Sequence, residues 1–305
     1  MQEFRILNNT IYGGNDVPLV GFPNDQDYPI LANPDKVLVF RTALGVGDWV
    51  MLERLPKAIK SYYPNCKVYL PSPKMIEETF GPMMQNWASW GDVARTVELV
   101  FDNNPYVDGY VDTWEGEVYS DHYRIYDPND YKVPLVRQMA RFYDIPDDHE
   151  IDYTPICYFS NYECESGKEL IRRNYGVIGG YNFLHLSNRN TEADTTLLLD
   201  YIMDNGYYSQ PFVYYYSGDI TQTVFKNLDL RWNIANISDP RMQFFIKSCA
   251  RHVIGNQTGA TDVICGLTKV HSLHHSEYLG ETFRVGNYLP PITYIQKYPL
   301  DEIWT

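Results

Sequence analysis

The sequence predicts an α/β protein built as two successive units, each a mainly parallel sheet wound with helices. Short runs of β-branched and aromatic residues, such as Val37–Phe40, Lys67–Leu70, Tyr181–Leu186 and Phe212–Tyr216, alternate with segments of helical periodicity. Glycine-bearing turns separate several of these steps. The same order restarts after the acidic stretch Asp147-Asp148-His149-Glu150, which reads as a linker, and 305 residues are enough for two ordinary domains.

Residues 1–36 hold Gly13-Gly14, Pro18, Pro23, Pro29 and Pro34 without sustained periodicity, and predict an extended N-terminal arm. Ile11, Leu19 and Phe22 would pack it on the body. The first domain then spans 37–150. Its opening strand, Val37–Phe40, meets the turn Gly45-Val46-Gly47-Asp48 and a helix whose apolar positions are Val50, Leu52, Leu55 and Ile59, with Asp48 expected as its N-cap. Lys67–Leu70 is the second strand, ended by Pro71. Helices are expected at Met75–Phe80 and Val93–Phe101, a turn and strand at Asn104–Val111, and a long polar loop from Trp114 to Asp130. The helix Val133–Tyr143 stops at Ile145-Pro146.

The second domain spans 151–290. Ile156–Phe159 is expected as a strand, Cys164–Tyr175 as a helix, and Tyr181–Leu186 as a buried strand before the polar loop Ser187-Asn188-Arg189-Asn190. A helix at Thr195–Asn205 closes on Gly206. Phe212–Tyr216 and Ile234–Ile237 read as strands, and Pro240–Ser248 as a helix capped by Ser238 or Asp239. Val253-Ile254-Gly255 leads into Asn256-Gln257-Thr258-Gly259-Ala260-Thr261-Asp262, and Val263–Leu267 opens another helix. Residues 291–305 form a tail expected to return to the first domain.

Composition narrows the function. A net charge of −14 argues against binding through phosphates, because nucleic-acid affinity rests on counterion release at a positive surface. No apolar run is long enough for a membrane span, and MQEFRILNNT lacks a basic segment followed by an apolar one. The expectation is a cytoplasmic protein, with peripheral attachment at the inner face of a membrane left open. Five cysteines without a CxxC pair suit free, mostly buried thiols. The 27 tyrosines suit sugar or base pockets and partly buried strands alike.

Two loops carry the candidate chemistry. In the first, Gly45 and Gly47 permit close backbone approach beside the Asp48 carboxylate. In the second, Asn256, Gln257, Thr258, Gly259, Ala260 and Thr261 place hydroxyls and amides at a strand-to-helix junction, where they can converge on a phosphate. His122 and Arg124, in the long loop, are candidates for acceptor contact. His274 and His275 are adjacent, and on a regular strand their side chains point to opposite faces, which argues against a metal shared with His271.

At these residues the chain resembles the ADP-heptose:lipopolysaccharide heptosyltransferase family. Leu44-Gly45-Val46-Gly47-Asp48, with Leu55-Pro56-Lys57-Ala58-Ile59 and Pro64, looks like that family's first loop and helix. Asn104-Pro105-Tyr106-Val107-Asp108 matches a characteristic segment, and Ile254-Gly255-Asn256-Gln257-Thr258-Gly259 is similar to the donor segment. The chain departs where Gln257 replaces the usual acid, Asp262 replaces a histidine, and no Lys-Trp-Pro follows the Leu184 strand. That leaves Ser187 and Arg189 as the nearest donor contacts.

The resemblance implies a GT-B fold, two Rossmann-like domains with parallel sheets facing a central cleft. It implies an inverting glycosyltransferase in which Asp48 is the general base and Thr258, Gly259 and Thr261 hold the donor phosphates. The substrates would be a nucleotide-sugar donor and a saccharide or glycolipid acceptor, with no cofactor or metal required. The alternatives are a non-catalytic sugar-binding or assembly protein of the same fold, a viral-type enzyme glycosylating modified DNA bases, and a nucleotide-sugar epimerase.

Overall fold

The structure, a computed structural model, describes residues 3–7, 10–13, 34–40, 45–84, 94–119, 135–141, 143–176, 178–186, 192–216, 227–256, 258–273 and 292–295. The chain divides into two units, Met1–Tyr153 and Thr154–Thr305.

In the first unit β3 (Lys36–Leu38), β4 (Lys67–Pro71) and β5 (Gly109–Val111) form a parallel sheet in that order. Its helices are α1 (Val46–Val50), α2 (Leu55–Tyr62), α3 (Pro73–Met84), α4 (Thr96–Phe101) and α5 (Leu135–Arg141). The single helix expected after the glycine turn is broken in two. Pro56 has no amide hydrogen to give to Leu52, so the chain tightens ahead of it: Leu52, Glu53 and Leu55 each bond a carbonyl three residues back. Both pieces and the turn between them still bury their apolar side, with Trp49, Leu52, Leu55 and Ile59 wholly inside.

Residues of the expected arm form β1 (Glu3–Leu7) and β2 (Thr10–Gly13), an antiparallel pair. Against β1 lies β6 (Gly116–Tyr119), a strand within the segment read as loop. Each strand is too short for its periodicity to stand out, and the β1–β6 pairing joins segments far apart in the chain.

The second unit is a six-stranded sheet ordered β12-β11-β10-β7-β8-β9, with every neighbouring pair parallel. The strands are β7 (Asn182–Leu186), β8 (Phe212–Tyr216), β9 (Leu230–Asn233), β10 (His252–Asn256), β11 (Lys269–Leu273) and β12 (Ile292–Ile295). The helices are α6 (Asn161–Tyr175), α7 (Glu192–Asp204), α8 (Pro240–Ser248) and α9 (Gly259–Asp262). Leu184, Leu186, Phe212, Ile254 and Leu273 meet Leu198 and Ile202 of α7 in one core. Ser160 and Glu163 close a capping box at the start of α6, and Arg241 Nε donates to Glu163 Oε1 at 2.7 Å, tying α8 to it.

Three expectations change here. Ile156–Phe159 is irregular, not a strand; the Tyr158 carbonyl there accepts from Arg241. The strand expected at Ile234–Ile237 lies earlier, at β9, because Asn233 Oδ1 accepts from Ala235 N and turns the chain into a 3-10 turn at Ile234–Asn236. Residues 292–295, assigned to a tail returning to the first domain, instead add β12 beside β11. The cysteines among the described residues are free, and Cys66, Cys157 and Cys265 are buried.

Candidate functional site

The strand order of the second unit reverses at one place. From β7 the chain goes outward through β8 and β9, then returns to place β10 on the other side of β7 and continues to β11 and β12. In open parallel sheets, ligands bind beyond the carboxyl ends of the strands at such a switch point. The turn Thr258–Asp262, from the second of the two loops named from the sequence, follows β10 at this point, and the candidates Ser187 and Arg189 come after β7 in the chain.

The turn after β10 is built by Thr258, which stays extended (φ −146°, ψ 151°) while the chain turns into α9. Its Oγ1 accepts from the Thr261 amide at 3.2 Å and lies 3.0 Å from the Thr261 hydroxyl, and its carbonyl accepts from the Asp262 amide. Asn256, Thr258, Gly259, Ala260 and Thr261 are thus brought together at the end of β10. Thr258, Gly259 and Ala260 are half-buried, whereas Thr261 is fully buried and its hydroxyl is turned to Thr258. Thr261 therefore shapes the turn from within. Ser187, Arg189 and Gln257 lie outside the described residues.

Beneath the turn sits a buried cation that the sequence reading missed. Lys247, in the last turn of α8, is 1% exposed. Its Nζ donates to the Ala260 carbonyl at 2.8 Å and lies 2.9 Å from His185 Nδ1. The rings of Phe183, Phe244 and Tyr215 surround it at 5.4, 5.6 and 5.9 Å, within cation–π range. Asp262, also buried, faces the same region, and its Oδ1 has no hydrogen-bond partner among the described residues. Burial pushes the Asp262 carboxyl up to about 8, against the pull of Lys247, and pushes Lys247 down to about 7, against the pull of Asp262. Burial, then the Lys247 charge, holds His185 well below its ordinary value. A neutral His185 accepts at Nδ1 and carries its proton on Nε2. The one sequence signal was a lysine ending the apolar run Phe244-Phe245-Ile246, which reads equally well as a helix-end cation.

In the first unit Asp48 is the third residue of α1, not its N-cap: the helix begins at Val46, with the Trp49 amide donating to the Gly45 carbonyl at 3.3 Å. Gly45, Gly47 and Asp48 remain together in the segment that follows β3 at its carboxyl end. His122, Arg124, His274 and His275 lie outside the described residues. His271 is on β11, where its Nε2 meets His252 Nδ1 at 2.9 Å and its Nδ1 meets the Tyr201 hydroxyl at 2.8 Å. His252 opens β10, so this pair is nearer the amino ends of the strands, away from the switch point. Among the described residues no group of three His, Cys, Asp or Glu side chains is arranged to hold a metal, and no helix is long and apolar enough to cross a membrane.

Two α/β units with parallel sheets, the second wound about a β7–β10 switch point, define a protein of the GT-B fold class. Within it, the chain is similar to a glycosyl transferase family 9 protein from Veillonella parvula DSM 2008, with a TM-score of 0.58, 8% identity, and 90% of this chain and 89% of that one covered. It also matches the ADP-heptose lipopolysaccharide heptosyltransferase II of E. coli at a TM-score of 0.41 and 13% identity, over 86% of this chain and 89% of that one. A third match is TibC from enterotoxigenic E. coli, an iron-containing dodecameric heptosyltransferase solved with ADP-D-β-D-heptose. Its TM-score is 0.41 and its identity 9%, over 80% of this chain and 59% of that one. At these identities the likeness is one of fold. No protein family matches the chain by sequence. No curated protein sequence matches it.

Proposed function

We propose that the protein is an inverting glycosyltransferase that moves a sugar from a nucleotide-sugar donor to an acceptor hydroxyl. The observation that carries this reading is the β7–β10 switch point with the Thr258 turn at its carboxyl end, on a fold shared with a family 9 glycosyl transferase. The second unit would take the donor, with the backbone around Thr258, Gly259 and Ala260 facing the phosphates. The first unit would take a saccharide or glycolipid acceptor, with Asp48 as the general base.

In this mechanism Asp48 removes the acceptor proton as the oxygen attacks the anomeric carbon from the face opposite the nucleotide, and the nucleoside diphosphate leaves with the bonding electrons. Its growing negative charge is met by hydroxyl and amide donors of the Thr258 turn. Metal independence belongs to the same proposal.

The test is calorimetric titration with ADP, UDP, GDP and their sugar conjugates, followed by product analysis with the donor that binds. One nucleotide should bind, and Thr258→Val should weaken it. Asp48→Asn should keep donor affinity and lose about two to four orders of magnitude in transfer rate, the usual contribution of a general base. Nucleotide binding with no transfer to any saccharide would favour the non-catalytic sugar-binding alternative, and activity abolished by a chelator would overturn metal independence.

A further inference from the structure

We propose that Lys247 is a positioning residue of the donor site: its buried ammonium holds the Thr258–Asp262 turn through the Ala260 carbonyl and supplies positive charge under the phosphate position. This rests on the donor reading of the β10 loop given above.

The geometry leaves Lys247 little other purpose. An ammonium taken out of water costs several kcal/mol, roughly, unless hydrogen bonds and charge replace its hydration. Here the replacement is specific. One hydrogen bond goes to the loop itself at Ala260, one to His185 of β7, and three aromatic faces from β7, β8 and α8 close the remaining directions. The contacts therefore join α8 to β7 and β8 and to the turn that leaves β10. A methionine would fill the same space at no electrostatic cost, yet could not hold the Ala260 carbonyl.

Charge follows from the same arrangement. The titratable groups facing Nζ among the described residues are His185 from β7, Tyr215 from β8 and Asp262 from α9. At pH values below those of the pair, Lys247 is protonated and Asp262 holds its proton; above them, Lys247 is neutral and Asp262 ionised. The ground beneath the turn passes from one positive to one negative charge as pH rises, in steps that belong to the pair. A bound diphosphate is therefore favoured on the acid side. The nucleotide's own last ionisation works in the opposite sense, since it gains charge with rising pH.

The experiment is calorimetric titration of the full chain with ADP, UDP and GDP from about pH 6 to about pH 9, on the wild type, Lys247→Met and Asp262→Asn. Wild-type affinity for the nucleotide that binds should fall by roughly tenfold or more across the range. Lys247→Met should bind about tenfold more weakly at the acid end and lose most of the fall in affinity across the range. Asp262→Asn, which removes the negative partner, should bind more tightly than the wild type at the alkaline end, where no carboxylate forms beneath the turn, while still weakening as Lys247 loses its proton. A wild-type profile that is flat, or a folded Lys247→Met with the wild-type profile, would overturn the proposal while leaving the donor site standing. Absence of nucleotide binding by the wild type at every pH would overturn both. The wild-type profile and Asp262→Asn decide the matter even where Lys247→Met does not fold.

Discussion

Gly255 lies so close to His185 that a Cβ placed on it would stand 2.2 Å from the His185 carbonyl oxygen and 2.9 Å from the His185 Cβ. The two residues face each other in the β7–β10 pairing, at the switch point of the sheet. The obstacle is largely backbone, which cannot swing away as a side chain could.

Gly255→Ala should therefore force β7 and β10 apart, lowering stability by about 3 kcal/mol, the upper range for an overpacked core. Urea denaturation measures it. The variant should also lose nucleotide affinity, because the strand that moves carries His185 and the Thr258 turn follows the other. A variant as stable as the wild type would contradict the close approach.

In the first unit, Asn104 Nδ2 donates to the buried Glu53 Oε1 at 2.8 Å, and Asn104 Oδ1 accepts from the Tyr106 amide at 2.9 Å. The Asn-Pro-Tyr-Val-Asp segment thus acts as a staple, since Asp108 also accepts from the Val68 amide of β4. Asn104→Ala removes a hydrogen bond to a buried carboxylate and should cost about 2 kcal/mol. Asn104→Asp should cost at least as much, by setting a second carboxylate against Glu53. Equal midpoints for all three proteins in urea would show that the staple contributes nothing.

His271 predicts a loss of stability in acid. Burial, then the charges of His252 and Lys269, bring it down to about 4. An unfolded histidine titrates near ~6.5, so between those values the unfolded chain binds more protons. The stabilisation is complete above the window and is lost as pH falls through it. Asp262 works oppositely in this range, because its raised value makes the folded state the better proton binder. The comparison with His271→Gln isolates the histidine. The stability difference between wild type and variant should shift against the wild type from pH 7 to pH 5 by thermal denaturation, and a constant difference would refute the assignment.

Much of the second unit was legible from local pattern. Tyr181–Leu186 and Phe212–Tyr216 are apolar, aromatic runs that fall where β7 and β8 lie, whereas the helix expected at Val263–Leu267 lies earlier, at Gly259–Asp262, because the Thr258 side chain caps it there. In the first unit the apolar spacing predicts one helix through Pro56, but its missing amide hydrogen breaks it. The glycine turn before Asp48 suggests a cap, but the helix reaches back to Val46 and places Asp48 inside it.

What the sequence determined by itself is what neighbours in the chain decide: the strand–helix alternation, the cap of α8 at Asp239 and the candidate loops. Tertiary structure alone decided that β1 pairs with β6, that β12 joins the second sheet, and that Lys247 passes beneath Ala260 to meet His185. Those contacts join residues far apart in sequence. Local propensity carries no record of them, because a strand edge or a lysine at a helix end acquires its partner only when the chain has closed around it.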